Sequence, residues 1–214
     1  MAYHLTIVPE GRHYPMVDWG GEPVGSPALD PQNDWEQISA SMKGVPVDGS
    51  KFPKRVRWLE RRDNPPPDFD KTPYWTVSDR ARQIIERLEP CVHQFFPVEY
   101  VDSDGEHIEN RHWFIVCNRL DAVDRKHSNM VLYRNVRWIA PHLAASEGIE
   151  FTDNASVERP PLIVFNREAI GDKKFWRDRH LSGGPWLSDD AAAEINAERL
   201  TGVRLDEKSR IEQA

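Results

Sequence analysis

Apolar residues fall at helical spacing in two places along the chain. Ala81, Ile84, Ile85 and Leu88 follow one another at i, i+3, i+4 and i+7, which places them on one helix face. Ser78 stands before them, and its hydroxyl can accept from an orphan N–H of the first turn. Asp79 comes next, where the helix dipole favours negative charge. Pro90 ends the run. Near the other end, Ser188 precedes Asp189 and Asp190, and Ala192, Ile195 and Leu200 follow as the inward positions. The stretches "WTVSDRARQIIERLEP" and "PWLSDDAAAEINAERLTG" thus share one order: aromatic, Ser-Asp, amphipathic helix, breaker. The pattern predicts two strand–capped helix–strand units, each helix laying its apolar face on a sheet. Neither copy carries a reactive residue, so the echo is architectural.

Alternating and apolar runs predict strands elsewhere. "YHLTIVP" reads as an early strand and "RVRWLERR" as another, by Val56 and Trp58. After the first helix, "HQFFPVEYVD" and "RHWFIVCNRLDAVD" read as a hairpin across the turn "SDGEHIEN". "NMVLYRNVRWIA" and "PPLIVFNREAI" each read as one strand, with "SEGIEFTDNASVERP" as a loop between them. "TGVRL" is expected to hold a short last strand, and "DEKSRIEQA" a frayed polar tail. "DWGGEPVGSPALDP" is too rich in Gly and Pro for regular structure, and "DWEQISASM" is expected to be a short helix capped by Asp34. "NPPPDFDKTP" is stiff, because proline fixes its own φ and restricts its neighbour. It is the expected boundary between a loop-rich subdomain over 1–70 and an α+β domain over 71–214. The fold expected is α+β, with a mostly antiparallel sheet and a few capped helices packed on it.

Composition narrows the function classes. The 214 residues carry a formal charge of -7, which argues against non-specific nucleic-acid binding. The local exception is "KFPKRVRWLERR", with six basic residues, read first as a solvated face. Eight Trp can anchor a sizeable core. No apolar run approaches the ~20 residues a membrane span needs, and the first residues lack the pattern of a secretory signal. Two cysteines, Cys91 and Cys117, are too few for a disulfide framework. They are expected as unpaired, buried thiols in a reducing cytoplasm.

Chemistry needs convergent groups, and few candidates arise. His4, His13, His93, His107, His112, His127, His142 and His180 are scattered, with no zinc spacing and no Cys-x-x-Cys. His93 and His112 can approach across the hairpin, and Cys117 with His112, or Cys91 with His93, could form a nucleophile and base. A small Cys/His-dependent hydrolase or transferase is the enzyme alternative that this leaves open. "DSDGE" resembles a calcium loop only faintly and is explained as a turn; "LSGGPW" lacks the Lys-Ser/Thr of a phosphate loop. No metal or cofactor is called for. The remaining candidate surface is "KKFWRDRHLSGGPWLSD", expected as a loop. Its Phe175, Trp176, Arg177, Arg179 and Trp186 are of the types enriched in interface hot spots. Asp102, Asp104 and Glu106 add an acidic loop.

Three pieces in order resemble a bacterial family first catalogued as a domain of unknown function and later placed among the immunity proteins of polymorphic toxin systems. They are "VSDRARQIIERLEPCVHQFFPVEY", "LIVFNREAIGDKKFWRD" and "LSDDAAAEINAERLTGVRL". Gln94, Phe96, Pro97 and Val98 match its Q-F-x-P-V strand. Ile170, Gly171, Phe175, Trp176 and Arg177 match its I-G-x-x-x-(F/W)-R, with one residue of drift. Ser188, Leu200, Thr201, Gly202 and Val203 match its closing motifs. The resemblance spans Trp75 to Leu205. It implies a cytoplasmic protein, encoded beside a toxin, that neutralises the toxin by binding it; it does not imply an active site. A structural or regulatory partner without a toxin is the other non-enzyme reading. The acidic balance would suit a toxin with a basic cleft.

Overall fold

The computed structural model describes residues 1–7, 39, 42–58, 65–71, 74–151 and 154–212, with the side chains of 51 and 207–212 left aside. Of the helix expected at "DWEQISASM", only Ser39 and Met42 fall among them, and the Gly/Pro-rich stretch before it lies outside. Thirteen strands and four helices are present among the described residues, an α+β fold dominated by sheet. A six-stranded sheet has the order β10-β13-β1-β12-β11-β7, and a five-stranded sheet the order β2-β5-β6-β4-β3. In the first, the strands are β1 (Ala2–Ile7), β7 (Arg119–Leu120), β10 (Ile163–Asn166), β11 (Phe175–Asp178), β12 (Trp186–Leu187) and β13 (Val203–Glu212). In the second they are β2 (Arg55–Arg57), β3 (Phe69–Lys71), β4 (Trp75–Ser78), β5 (Gln94–Val101) and β6 (His107–Ile115). A separate hairpin pairs β8 (Val131–Tyr133) with β9 (Arg137–Ile139). Most pairs are antiparallel; β10 with β13, β7 with β11 and β2 with β5 run parallel.

The two echoing stretches form α1 (Asp79–Leu88) and α4 (Asp189–Ala197). Each follows a strand, β4 or β12, and each is capped by the expected serine. Ser78 Oγ accepts from Ala81 N at 3.1 Å, and Ser188 Oγ from Ala191 N at 3.3 Å. The repeat puts two helices on one shared core. Ala81, Ile84 and Ile85 meet Ala191 and Ile195 there, with Leu5 and Phe175 from one sheet and Val77 and Phe114 from the other. Arg87 of α1 pairs with Glu194 of α4 at 2.6 Å on the outside. Ser78 has a second role, since its hydroxyl donates to Asp68 Oδ1 at 2.7 Å. Ser78→Ala and Ser188→Ala should each cost about 0.5–2 kcal/mol by urea denaturation, with Ser78→Ala the larger because it also takes one donor from Asp68. Equal costs would show that the link to Asp68 contributes nothing.

Both sheets are covered on both faces, and strand alternation explains how. Phe114 faces the shared core, while its neighbour Trp113 turns to a second cluster with Phe52, Tyr74 and Tyr100. Phe175 likewise faces the shared core, and Trp176 a third cluster with Phe165, Trp138 and Trp186.

Several expectations need correction. The stretch from Phe175 is strand β11, buried at all four positions, and not a loop. "NMVLYRNVRWIA" is two strands, because Arg134 and Asn135 take positive φ and turn the chain back. It is followed by a short helix α2 (Pro141–Ser146), with proline in its first turn. "PPLIVFNREAI" ends in a helical turn, α3 (Arg167–Ile170), capped by Asn166. "RHWFIVCNRLDAVD" splits between the sheets, β6 in one and β7 in the other. The polar tail is no fray up to residue 212: β13 carries it between β1 and β10, so backbone pairing on both edges holds residues with little apolar content. Around the expected boundary near residue 70, β3 pairs with β4, and the earlier strands β1 and β2 pair with β12, β13 and β5.

Candidate interaction surface and the polar centres beneath it

The residues that carry the motifs are bound up in the fold. Gln94 clamps a loop, accepting from Val47 N at 2.8 Å and donating to Val47 O at 3.1 Å. Thr201 is fastened to Asp68, whose carboxylate accepts from its N–H at 2.9 Å and its hydroxyl at 3.1 Å. Gly202 follows at φ +84°, and a Cβ there would stand 2.0 Å from Phe69 O, so only glycine fits this crossing. Asp68, invisible as a motif, thus ties together β3, the cap of α1 and the turn after α4.

One buried polar centre joins the sheets. His93 Nε2 meets Glu89 Oε2 at 2.9 Å, and Cys117 N–H donates to His93 Nδ1 at 3.2 Å. Nδ1 therefore accepts, and the ring proton sits on Nε2, directed at the carboxylate. Glu89 also accepts from Asn118 Nδ2 at 2.9 Å and Phe175 N at 2.8 Å. Burial pushes its pKa up, but the His93 hydrogen bond and the N–H groups of Lys174 and Phe175 outweigh that and hold the carboxyl below the usual range.

This centre joins β11 to the C-terminal end of α1. The Cys117 thiol donates to Ile115 O at 3.4 Å, and burial pushes its pKa up. His112 is not paired with His93: it lies opposite Pro97 and bonds Asp79 Oδ1 at 2.6 Å. Cys91, expected buried, is exposed, because it occupies a positive-φ turn after α1 instead of a strand. Both cysteines are free, as expected. Among the described residues no three His, Cys, Asp or Glu side chains gather as metal ligands. No helix among them is long and apolar enough to cross a membrane.

The sequence-chosen binding residues separate into two groups. Phe175, Trp176 and Trp186 are core, and Arg177 is buried beside them. The three aromatics fill the clusters on the two faces of the first sheet, which withholds their side chains from a protein partner. Asp102 is buried too. Its carboxylate accepts from Asp104 N at 3.0 Å and Glu106 N at 2.9 Å, which makes the hairpin turn. Arg179, Asp104 and Glu106 are exposed.

The exposed apolar side chains gather where no sequence signal pointed. Val136 is 66% exposed, Leu143 50%, Phe151 38% and Val157 51%, four of the six exposed large apolar residues among those described. All four belong to one excursion of the chain, from β8 through α2 and the following loop. It has its own small core of Val131, Ile139 and Ala144, with Tyr133 and Ile149 against it. Arg134 and Arg137 both lie over the Tyr133 ring, at 5.0 and 5.8 Å from its centroid. Arg179 adjoins this unit, since its neighbour His180 accepts Trp138 N–H at 2.9 Å. Exposed apolar tips with a tyrosine and arginines fit the composition of an interface core.

The sequence model of a family described as "Immunity protein family (Imm11)" matches residues 15–209. Comparison with curated proteins gives no match.

Proposed function

Since the chain belongs to the Imm11 immunity protein family, we propose that it neutralises one cognate toxin in the cytoplasm by stoichiometric binding, without turnover. The observation that carries this reading is the match along residues 15–209, which takes in the whole five-stranded sheet, most of the six-stranded one and the excursion that starts at β8. The exposed apolar residues support one location for the contact. The unit from Val131 to Val157 offers Val136, Leu143 and Phe151 as apolar anchors, with Tyr133, Arg134 and Arg137 beside them. Arg179 lies at its rim, and Asp104 and Glu106 are further exposed contacts from the acidic turn. A specific inhibitor would bury about 800 Å² of its own surface, with a few residues supplying most of the affinity. The net charge of -7 would speed the approach of a basic partner from a distance.

The test is titration of the purified protein against the toxin encoded beside it. Inhibition should saturate at a fixed molar ratio. Val136→Glu places a charge in the centre of the contact and should weaken binding at least about tenfold, with an unchanged unfolding midpoint because the site is exposed. If a trace of protein inactivated a large excess of toxin, turnover would replace binding as the mechanism. Unchanged inhibition by Val136→Glu and Leu143→Glu together would move the contact off this unit.

A further inference from the structure

A small pocket of ≈120 Å³ lies where the two sheets meet, lined by Met42, Lys71, Trp75, Phe114, Arg177 and Gly183 among others. Two of these are cations, from different sheets. Lys71 ends β3 and Arg177 stands in β11. Arg177 is only 7% exposed. One of its nitrogens donates to Gly183 O at 2.8 Å, and its Nε has no partner. The ammonium of Lys71 lies 5.8 Å from the centroid of the Trp75 ring. Among the described residues neither cation makes a salt bridge, although eleven other pairs of a Lys, Arg or N-terminal cation with a carboxylate are formed among them. Arg177 is a charge taken out of water without a counter-charge, which is costly to fold around, and Lys71 lines the same pocket from an exposed position. The titration behaviour agrees: burial brings Arg177 down to about 10, and burial plus the charge of Arg177 lowers Lys71.

We propose that this pocket is an anion site, in which a carboxylate or phosphate group sits between Lys71 and Arg177 with its apolar neighbour against Trp75 and Phe114. The planar guanidinium has donors to spare, and its fork matches both groups. The size is in the range of a cavity that takes a benzene ring. It therefore holds a small anion or the end of one acidic side chain, and no nucleotide. Met42 is exposed and lies at the mouth. The anion has two sources, a free small molecule or an acidic side chain of the bound toxin.

The test needs no toxin for its first arm, so its failure is separate from failure of the neutralising role. The melting temperature of the full chain is followed against sodium acetate and against inorganic phosphate, with chloride at matched ionic strength as control. A saturable rise beyond chloride is expected with at least one of the two. Lys71→Met should weaken that response about tenfold, the loss of one charge-assisted contact. In chloride alone the same variant should melt at nearly the same temperature, since Lys71 is exposed and makes no salt bridge among the described residues. That behaviour keeps the test readable even if Arg177→Gln fails to fold. No saturable response beyond chloride, or an undiminished one in Lys71→Met, overturns the site. In the second arm toxin is added: weaker acetate or phosphate binding assigns the pocket to a toxin side chain, and unchanged binding assigns it to a free anion.

Discussion

Replacing Trp176 with alanine should cost about 3–5 kcal/mol of folding stability, the range for emptying a large aromatic from a core. Trp176 is fully buried, edge-on to Phe165 at 5.7 Å between ring centroids, in the cluster that also holds Trp186 and Trp138. Its indole N–H has no hydrogen-bond partner. Trp176→Phe should accordingly cost much less than Trp176→Ala, because it keeps most of the ring and loses a group that bonds to nothing. The pair of variants also separates core from contact. The folded fraction of Trp176→Ala should still titrate toxin at the wild-type ratio, whereas Val136→Glu should fold normally and fail to inhibit. Chemical denaturation and inhibition assays on both proteins read this directly. If Trp176→Ala kept its midpoint and lost inhibition, Trp176 would be an anchor after all and the packing account would be refuted.

Glu89→Ala should be comparably severe, about 3–5 kcal/mol, as for removal of one member of a buried charged network. Three donors converge on this carboxylate, from His93, Asn118 and Phe175, and all three would be stranded in the interior. The link from α1 to β11 would go with them. A pH dependence follows from the same contacts. The folded carboxyl titrates below the usual carboxylate range, so its contribution is fully present above that range and is lost as the pH falls through the lower folded value. Denaturation midpoints measured from neutral pH downward should therefore show an acid-side loss in the wild type that is smaller in Glu89→Ala. A variant that lost stability equally at every pH, acid included, would mean that Glu89 acts by its shape alone.

The amino-acid sequence by itself determined whatever rests on short range. Helix α1 was legible from the spacing of Ala81, Ile84 and Ile85, and both caps from Ser-Asp, since a hydroxyl three residues from an orphan N–H needs no distant partner. The hairpin of β5 and β6, the α+β class and the unpaired cysteines were legible for similar reasons, and the motif order pointed to the immunity-protein family before any coordinates did. The tertiary structure decided what depends on residues far apart. "FWRD" does not alternate, because β11 lies between two apolar clusters and all four positions are covered; an aromatic run of this kind reads equally well as loop, anchor or core. The polar segment Val203–Glu212 became a strand because β1 and β10 stand ready on either side to take its N–H and C=O groups, a fact recorded in residues more than 35 positions away. Lys71 and Arg177 are separated by a hundred residues, and nothing local to either announces that they share a pocket. The exposed unit with Val136 was hidden for the opposite reason. Its apolar residues look like any others in a sequence, and only the packing of the rest of the molecule shows which of them were left outside.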